Sequence, residues 1–107
     1  MNRFGQVSDL NAQRAAIDLH FGNLNGVRQY LEGSDYEQVV TPLRYLVAGD
    51  YFFLEGDFSN SEKSYRKALE NVSTKIEALI RLAKLNRSYG NSLRSESLLR
   101  EALQLEP

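Results

Sequence analysis

The groups that could do chemistry in this 107-residue chain are 14 carboxylates, 13 lysines and arginines and a single histidine; there is no cysteine. Without cysteine there is no disulfide framework, no thiolate metal site and no thiol nucleophile. His20 has no serine and acid arranged with it in a nucleophile motif, and a lone histidine usually sits on a surface or between helices. Asp50, Glu55 and Asp57 are close in sequence. Asp57 belongs to a turn and Glu55 reads as solvent-facing, so they do not form the converging pair that carboxylate catalysis needs. No spacing of His, Asp and Glu suggests a metal site, and there is no Gly-rich phosphate loop. The expectation is a protein that is not an enzyme and uses no metal or cofactor.

The cations fall in two groups, Lys63, Arg66 and Lys67, then Arg81, Lys84 and Arg87, interleaved with Glu62, Glu70 and Glu77. Such a pattern reads as solvated helix faces with local ion pairs. With a formal net charge of −1, no field draws in nucleic acid, and no nucleic-acid partner is expected. The first residues lack the apolar core of a signal peptide, and no apolar run is long enough to span a bilayer. A cytoplasmic protein without a membrane contact is therefore expected.

A composition of 42% hydrophobic and 25% charged residues describes one small globular domain. The chain is rich in helix formers, has only two prolines, and is punctuated by glycines where turns are wanted. A first helix is expected from a cap at Ser8 or Asp9 to Phe21. It carries two apolar stripes, one of Leu10, Ile17 and Phe21, the other of Ala12, Ala15, Ala16 and Leu19. Gly22-Asn23 stops it, and a second helix covers residues 24–32 with Val27, Tyr30 and Leu31 inward. Residues 33–35 read as a break, and residues 36–40 as a further helical turn or an irregular link. Thr41-Pro42 opens a third helix, Thr41 as N-cap and Pro42 at the first helical position, running to Glu55. Tyr45, Ala48, Gly49 and Phe52 share one of its faces, and Gly49 allows a close helix approach. Ser59-x-x-Glu62 and Thr74-x-x-Glu77 read as capping boxes for the fourth and fifth helices. The fifth runs to Tyr89, Ser92 caps the sixth, and Pro107 terminates it.

The punctuation recurs every 34 residues: Gly22-Asn23, Gly56-Asp57 and Gly90-Asn91 align, as do Ala68-Leu69 with Ala102-Leu103 and Gly49 with Ala83. A fixed period of this length is the mark of a helical array. With Tyr45, Ala48-Gly49, Phe52 and Tyr65 in the middle unit, and Leu79, Leu82-Ala83, Asn86, Leu99 and Pro107 in the last, the chain resembles the tetratricopeptide repeat family. The resemblance covers residues 42–107 well and residues 8–41 poorly, because Arg14 and Asp18 stand where apolar residues belong. The fold it implies is all-α: a helical-hairpin array (an α-solenoid) of about six helices in one domain, with a degenerate repeat at 8–41 and repeats at 42–75 and 76–107. A generic helical bundle is the alternative.

The resemblance also implies a concave groove read from the first helix of each pair. It places Leu43, Leu46, Asp50, Phe53 and Leu54 there from the middle unit. Glu77, Ile80, Lys84, Arg87 and Ser88 come from the last unit, and Ala12, Ala16, Leu19 and His20 from the first. Independently, Leu46, Asp50 and Phe53 lie at helical spacing on the face away from Tyr45, Ala48 and Phe52. The partner-binding candidates are Leu46, Asp50, Phe53, Ile80, Lys84 and Arg87. The alternative for Leu46 and Phe53 is packing against the neighbouring unit. Some family members hold a terminal carboxylate in a Lys/Asn clamp; Leu46 and Asp50 stand at those positions here, which disfavours that ligand. The expected function is a protein-interaction module whose groove, apolar in the middle and basic at one end, holds a peptide or helix of a partner with apolar anchors and an acidic flank. The sixth helix carries leucines on more than one side. Leu98 and Leu105, if not absorbed internally, would make a self-association surface and a homodimer. A self-associating assembly unit, or a regulatory fragment of a larger protein, is therefore the alternative.

Overall fold

The structure is a computed structural model that describes the backbone of residues 3–32 and 41–105 and the side chains of residues 10–32 and 41–105. The expectations for residues 33–35, residues 36–40 and Pro107 lie outside the described residues. All regular structure among the described residues is helical: α1 (Arg3–His20), α2 (Leu24–Glu32), α3 (Pro42–Leu54), α4 (Phe58–Ala68), α5 (Val72–Ser88) and α6 (Ser92–Leu105). No helix among them is long and apolar enough to cross a membrane.

One turn is used three times. Gly22, Gly56 and Gly90 have φ of 79°, 81° and 84°. Each amide bonds the carbonyl three residues back, and the following residue's amide bonds the carbonyl five back, as in Asp57 N–H to Phe52 C=O at 2.8 Å and Asn91 N–H to Asn86 C=O at 2.8 Å. Those two bonds, with a left-handed residue between, close a helix end. The residue after each glycine then opens the next helix: the side-chain oxygens of Asn23, Asp57 and Asn91 accept from the amides of Gly26, Asn60 and Arg94 at 3.2, 3.2 and 3.3 Å. Gly-Asx thus ends one helix and caps the next in two residues, which is the physical content of the repeat.

Several expected helix starts move because of this. Asp57, not Ser59, caps α4, and Ser59 lies inside the helix. Asn91, not Ser92, supplies the bond that caps α6. Asn71 caps α5 through the Ser73 amide at 3.0 Å, while Thr74 is buried and its hydroxyl donates to the Ala68 carbonyl at 2.7 Å. In each case an Asx side chain stands one to three residues ahead of the hydroxyl and captures the free amide first. Thr41 has the extended backbone of an N-cap, with Pro42 after it, but makes no side-chain cap bond. The first helix begins earlier than its expected cap, with Ser8 and Asp9 inside it. No breaker stronger than Gly5 stands in residues 3–9, and extending an existing helix adds a bond per residue.

The helices pair as α1–α2, α3–α4 and α5–α6. The hairpins touch in chain order through α1 and α2 against α3, then α3 and α4 against α5; α1 and α2 make no close backbone contact with α5 or α6 among the described residues. Two core clusters flank α3. Ala15, Val27, Val47 and Tyr51 form one, between the first and second hairpins. Leu46, Tyr65, Ala68, Leu79, Leu82 and Leu85 belong to the other, with Leu98 and Ala102 from α6. Of the two stripes on α1, the structure buries Ala12 and Ala15 and leaves Leu10, Ile17 and Phe21 in water. Gly49 is used as expected: a β-carbon there would collide with the Tyr65 ring, so its absence lets α4 lie on the backbone of α3. The fully buried Ser61 hydroxyl donates to the Gly49 carbonyl at 2.8 Å and fixes that crossing.

Candidate functional site

The stacking of α3 on α5 opens a recess of about 250 Å³ lined by Leu19 of α1, Asp50, Phe53 and Leu54 of α3, Tyr65 of α4, and Arg81 and Lys84 of α5. Asp50 follows Leu46 by one turn, so a side chain anchored in the core below places a carboxylate at the rim above. That carboxylate accepts from the Tyr65 hydroxyl and from Arg81 Nε, the latter at 3.0 and 3.2 Å. Arg81 Nη1 also bonds Glu77 Oε1, one turn back on α5, at 2.6 Å. The Asp50–Arg81 pair is a polar cross-link between the second and third hairpins.

Burial sets the electrostatics here. It pushes the Asp50 carboxyl above the ordinary aspartate value, while the Tyr65 hydrogen bond and the Arg81 charge pull it back without cancelling the shift. Burial and the neighbouring Asp50 charge push the Tyr65 phenol well up, so it stays a donor. Burial acts to lower Arg81, but the Asp50 and Glu77 carboxylates outweigh it and hold the guanidinium charged. The charges of Asp50 and Arg81 are therefore committed to each other. Lys84 and Arg87 are exposed, and their side chains make no ion pair with the described residues.

The apolar wall is held by a ring contact. Phe53 packs on Phe58 with centroids 5.5 Å apart, and Phe58 meets Tyr89 edge-on at 5.6 Å. Phe53 is half-buried and also touches the larger core cluster. A wider depression between α1 and α2 is lined by polar groups such as Arg14, Asp18 and Asn23. Its Asn23 side chain donates to Asp18 and accepts from the Gly26 amide.

The structure brings together three of the six expected groove residues, Asp50, Phe53 and Lys84. Leu46 lies elsewhere: at 5% exposure it is core, packed with α5 and α6 residues, which was the alternative for it. Ile80 is half-buried against the same cluster, and Arg87 is exposed on α5 outside the recess lining. Tyr65 and Arg81 were not among the expected groove residues. Arg81 follows Asp50 by 31 residues on the next opening helix, a separation at which no local rule of the sequence pairs the two charges. On α6, Leu98 is 4% exposed and belongs to the core, so it cannot serve in self-association, while Leu105 is 44% exposed.

Among the described residues no group of three His, Cys, Asp or Glu side chains could hold a metal ion. The recess presents an apolar wall, the exposed Lys84 ammonium and the Asp50–Arg81 ion pair. Comparison with protein-family models, curated proteins and solved structures finds no match to this chain.

Proposed function

We propose that the chain is a tetratricopeptide-like, non-enzymatic interaction module that holds a peptide or helix of a partner protein in the recess between α3 and α5. One observation carries this reading: among the described residues the Lys84 ammonium makes no ion pair beside the apolar surface of Leu19, Phe53 and Leu54, while the one carboxylate among the recess-lining residues, Asp50, is already bound by Arg81 and Tyr65. An occupant that complements this lining brings an apolar anchor for Phe53 and Leu54 and an acidic group for Lys84. Arg87, one turn further along α5, extends the cationic flank. A cytoplasmic setting is part of this reading.

The test is a selection of displayed random peptides on the full chain, followed by titration of a selected peptide. Sequences pairing an apolar residue with Asp or Glu should be enriched. Phe53→Ala and Lys84→Glu should each weaken the selected peptide by about tenfold or more, a loss of about 1.4 kcal/mol, with helical content unchanged. Binding that is indifferent to both substitutions would remove the recess as the site.

A further inference from the structure

The described hairpins meet at two junctions that have one repeat position in common. The opening helix of a hairpin presents a stripe to the hairpin before it. On α3 this stripe includes Val47 and Tyr51, packed with Ala15 and Val27. On α5 it includes Ala78 and Leu85, packed in one cluster with Leu46, Tyr65 and Ala68. Only Tyr51 and Leu85 correspond across the two, since Val47 aligns with Arg81 and Ala78 with Arg44; carried back by the repeat, the shared position on α1 is Ile17, flanked on that face by Leu10 and Gln13. Ile17 is 57% exposed, whereas its counterparts Tyr51 and Leu85 are 8% and 0% exposed; Leu10, the counterpart of the fully buried Ala78, is also 57% exposed.

The opposite half of the junction is built by Leu46, Tyr65 and Leu69 of the preceding hairpin. Carried forward, these positions are Ile80, Leu99 and Leu103. Ile80 and Leu99 are half-buried, and Leu103 is 70% exposed where Leu69 packs against the core. Among the described residues, one end of the stack therefore bears the receiving face of the internal interface uncovered, and the other end bears the covering face unpaired. A hairpin of this kind cannot bury such a face by itself.

We infer that the two faces dock on each other between copies of this chain. Helix α1 of one molecule takes the place beside α5 and α6 of the next that α5 takes beside α3 and α4 within each molecule. The contact is heterologous, joining two different surfaces, so repeating it adds molecules without closing into a symmetric dimer unless the rotation happens to complete a ring.

Sedimentation and light scattering on the 107-residue chain test this. The mass of the wild type should rise with concentration beyond that of a dimer. Ile17→Glu and Leu103→Glu both place a charge on water-facing positions, so each variant should keep its helical content and each alone should be monomeric. Mixed in equal amounts they should form a one-to-one dimer and nothing larger. The first variant keeps its α5–α6 face and the second keeps its α1 face, while the remaining two faces are blocked. A wild type that stays monomeric at high concentration overturns the inference. So does either variant that still dimerises alone, because that is the behaviour of a symmetric contact, and so does a mixture that stays monomeric.

Discussion

Gly49 and Tyr65 share a space in which only one of them can carry a side chain. Alanine is the better helix former by about 1 kcal/mol, which on an exposed helix would make Gly49→Ala stabilising. Here the added methyl would have to displace a ring that is 3% exposed and that donates to Asp50, so a net loss of about 1–3 kcal/mol is expected from equilibrium denaturation. A gain in stability would show that the ring yields without penalty. Asp50 gives a second residue-scale prediction. An NMR titration of its carboxyl should place it above the ordinary aspartate value, and Arg81→Ala, by removing an attraction that lowers it, should raise it further. The sign for stability follows from proton linkage. The folded chain holds this proton more tightly than the unfolded one, so Asp50 adds stability in acid that is lost as pH rises from the ordinary aspartate value through its raised one. Asp50→Asn should flatten that component of the pH profile. Neither the Tyr65 contact nor the Arg81 pairing was legible from propensity. Gly49 was marked by being a glycine inside a helix, but which ring it received depended on how α4 crosses α3.

At the scale of elements, the caps separate what a short motif signals from what a backbone does. Asp57→Ala should cost about 1 kcal/mol because it strips the amide acceptor from the start of α4, and Ser59→Ala should cost markedly less because Ser59 lies inside the helix. Equal losses in a pair of denaturation curves would restore the Ser59 capping box. Helix α2 was readable to the residue, as was the start of α3 at Pro42, because Gly-Asx and Thr-Pro act through neighbouring dihedral angles and bonds a few residues long. The capping boxes misled for a related reason. A hydroxyl followed three residues later by Glu can sit inside a helix whose free amides an earlier Asx already satisfies. Helix α1 held two apolar stripes in its sequence, and no local rule ranks one above the other.

At the scale of the molecule, contacts between adjacent hairpins alone imply uneven stability. Among the described residues α1 and α2 bury only Ala12, Ala15 and Val27, whereas α3 and α5 are buried on several sides. Native-state hydrogen exchange should therefore find α1 and α2 amides opening at lower free energy than those of α3 and α5. Uniform protection across the described helices would mean that the stack opens as one unit. The three Gly-Asx turns and the 34-residue spacing between them were determined by the sequence alone, because each arises from glycine at positive φ and a side-chain cap within the same few residues. Only the tertiary structure decided which α1 stripe faces inward, that Leu46 and Leu98 are core, and that Asp50 meets Arg81 across two hairpins. Those outcomes depend on how far one hairpin is rotated on the next, and that rotation is set by the joint packing of side chains distant in sequence, such as Tyr65 settling on Gly49.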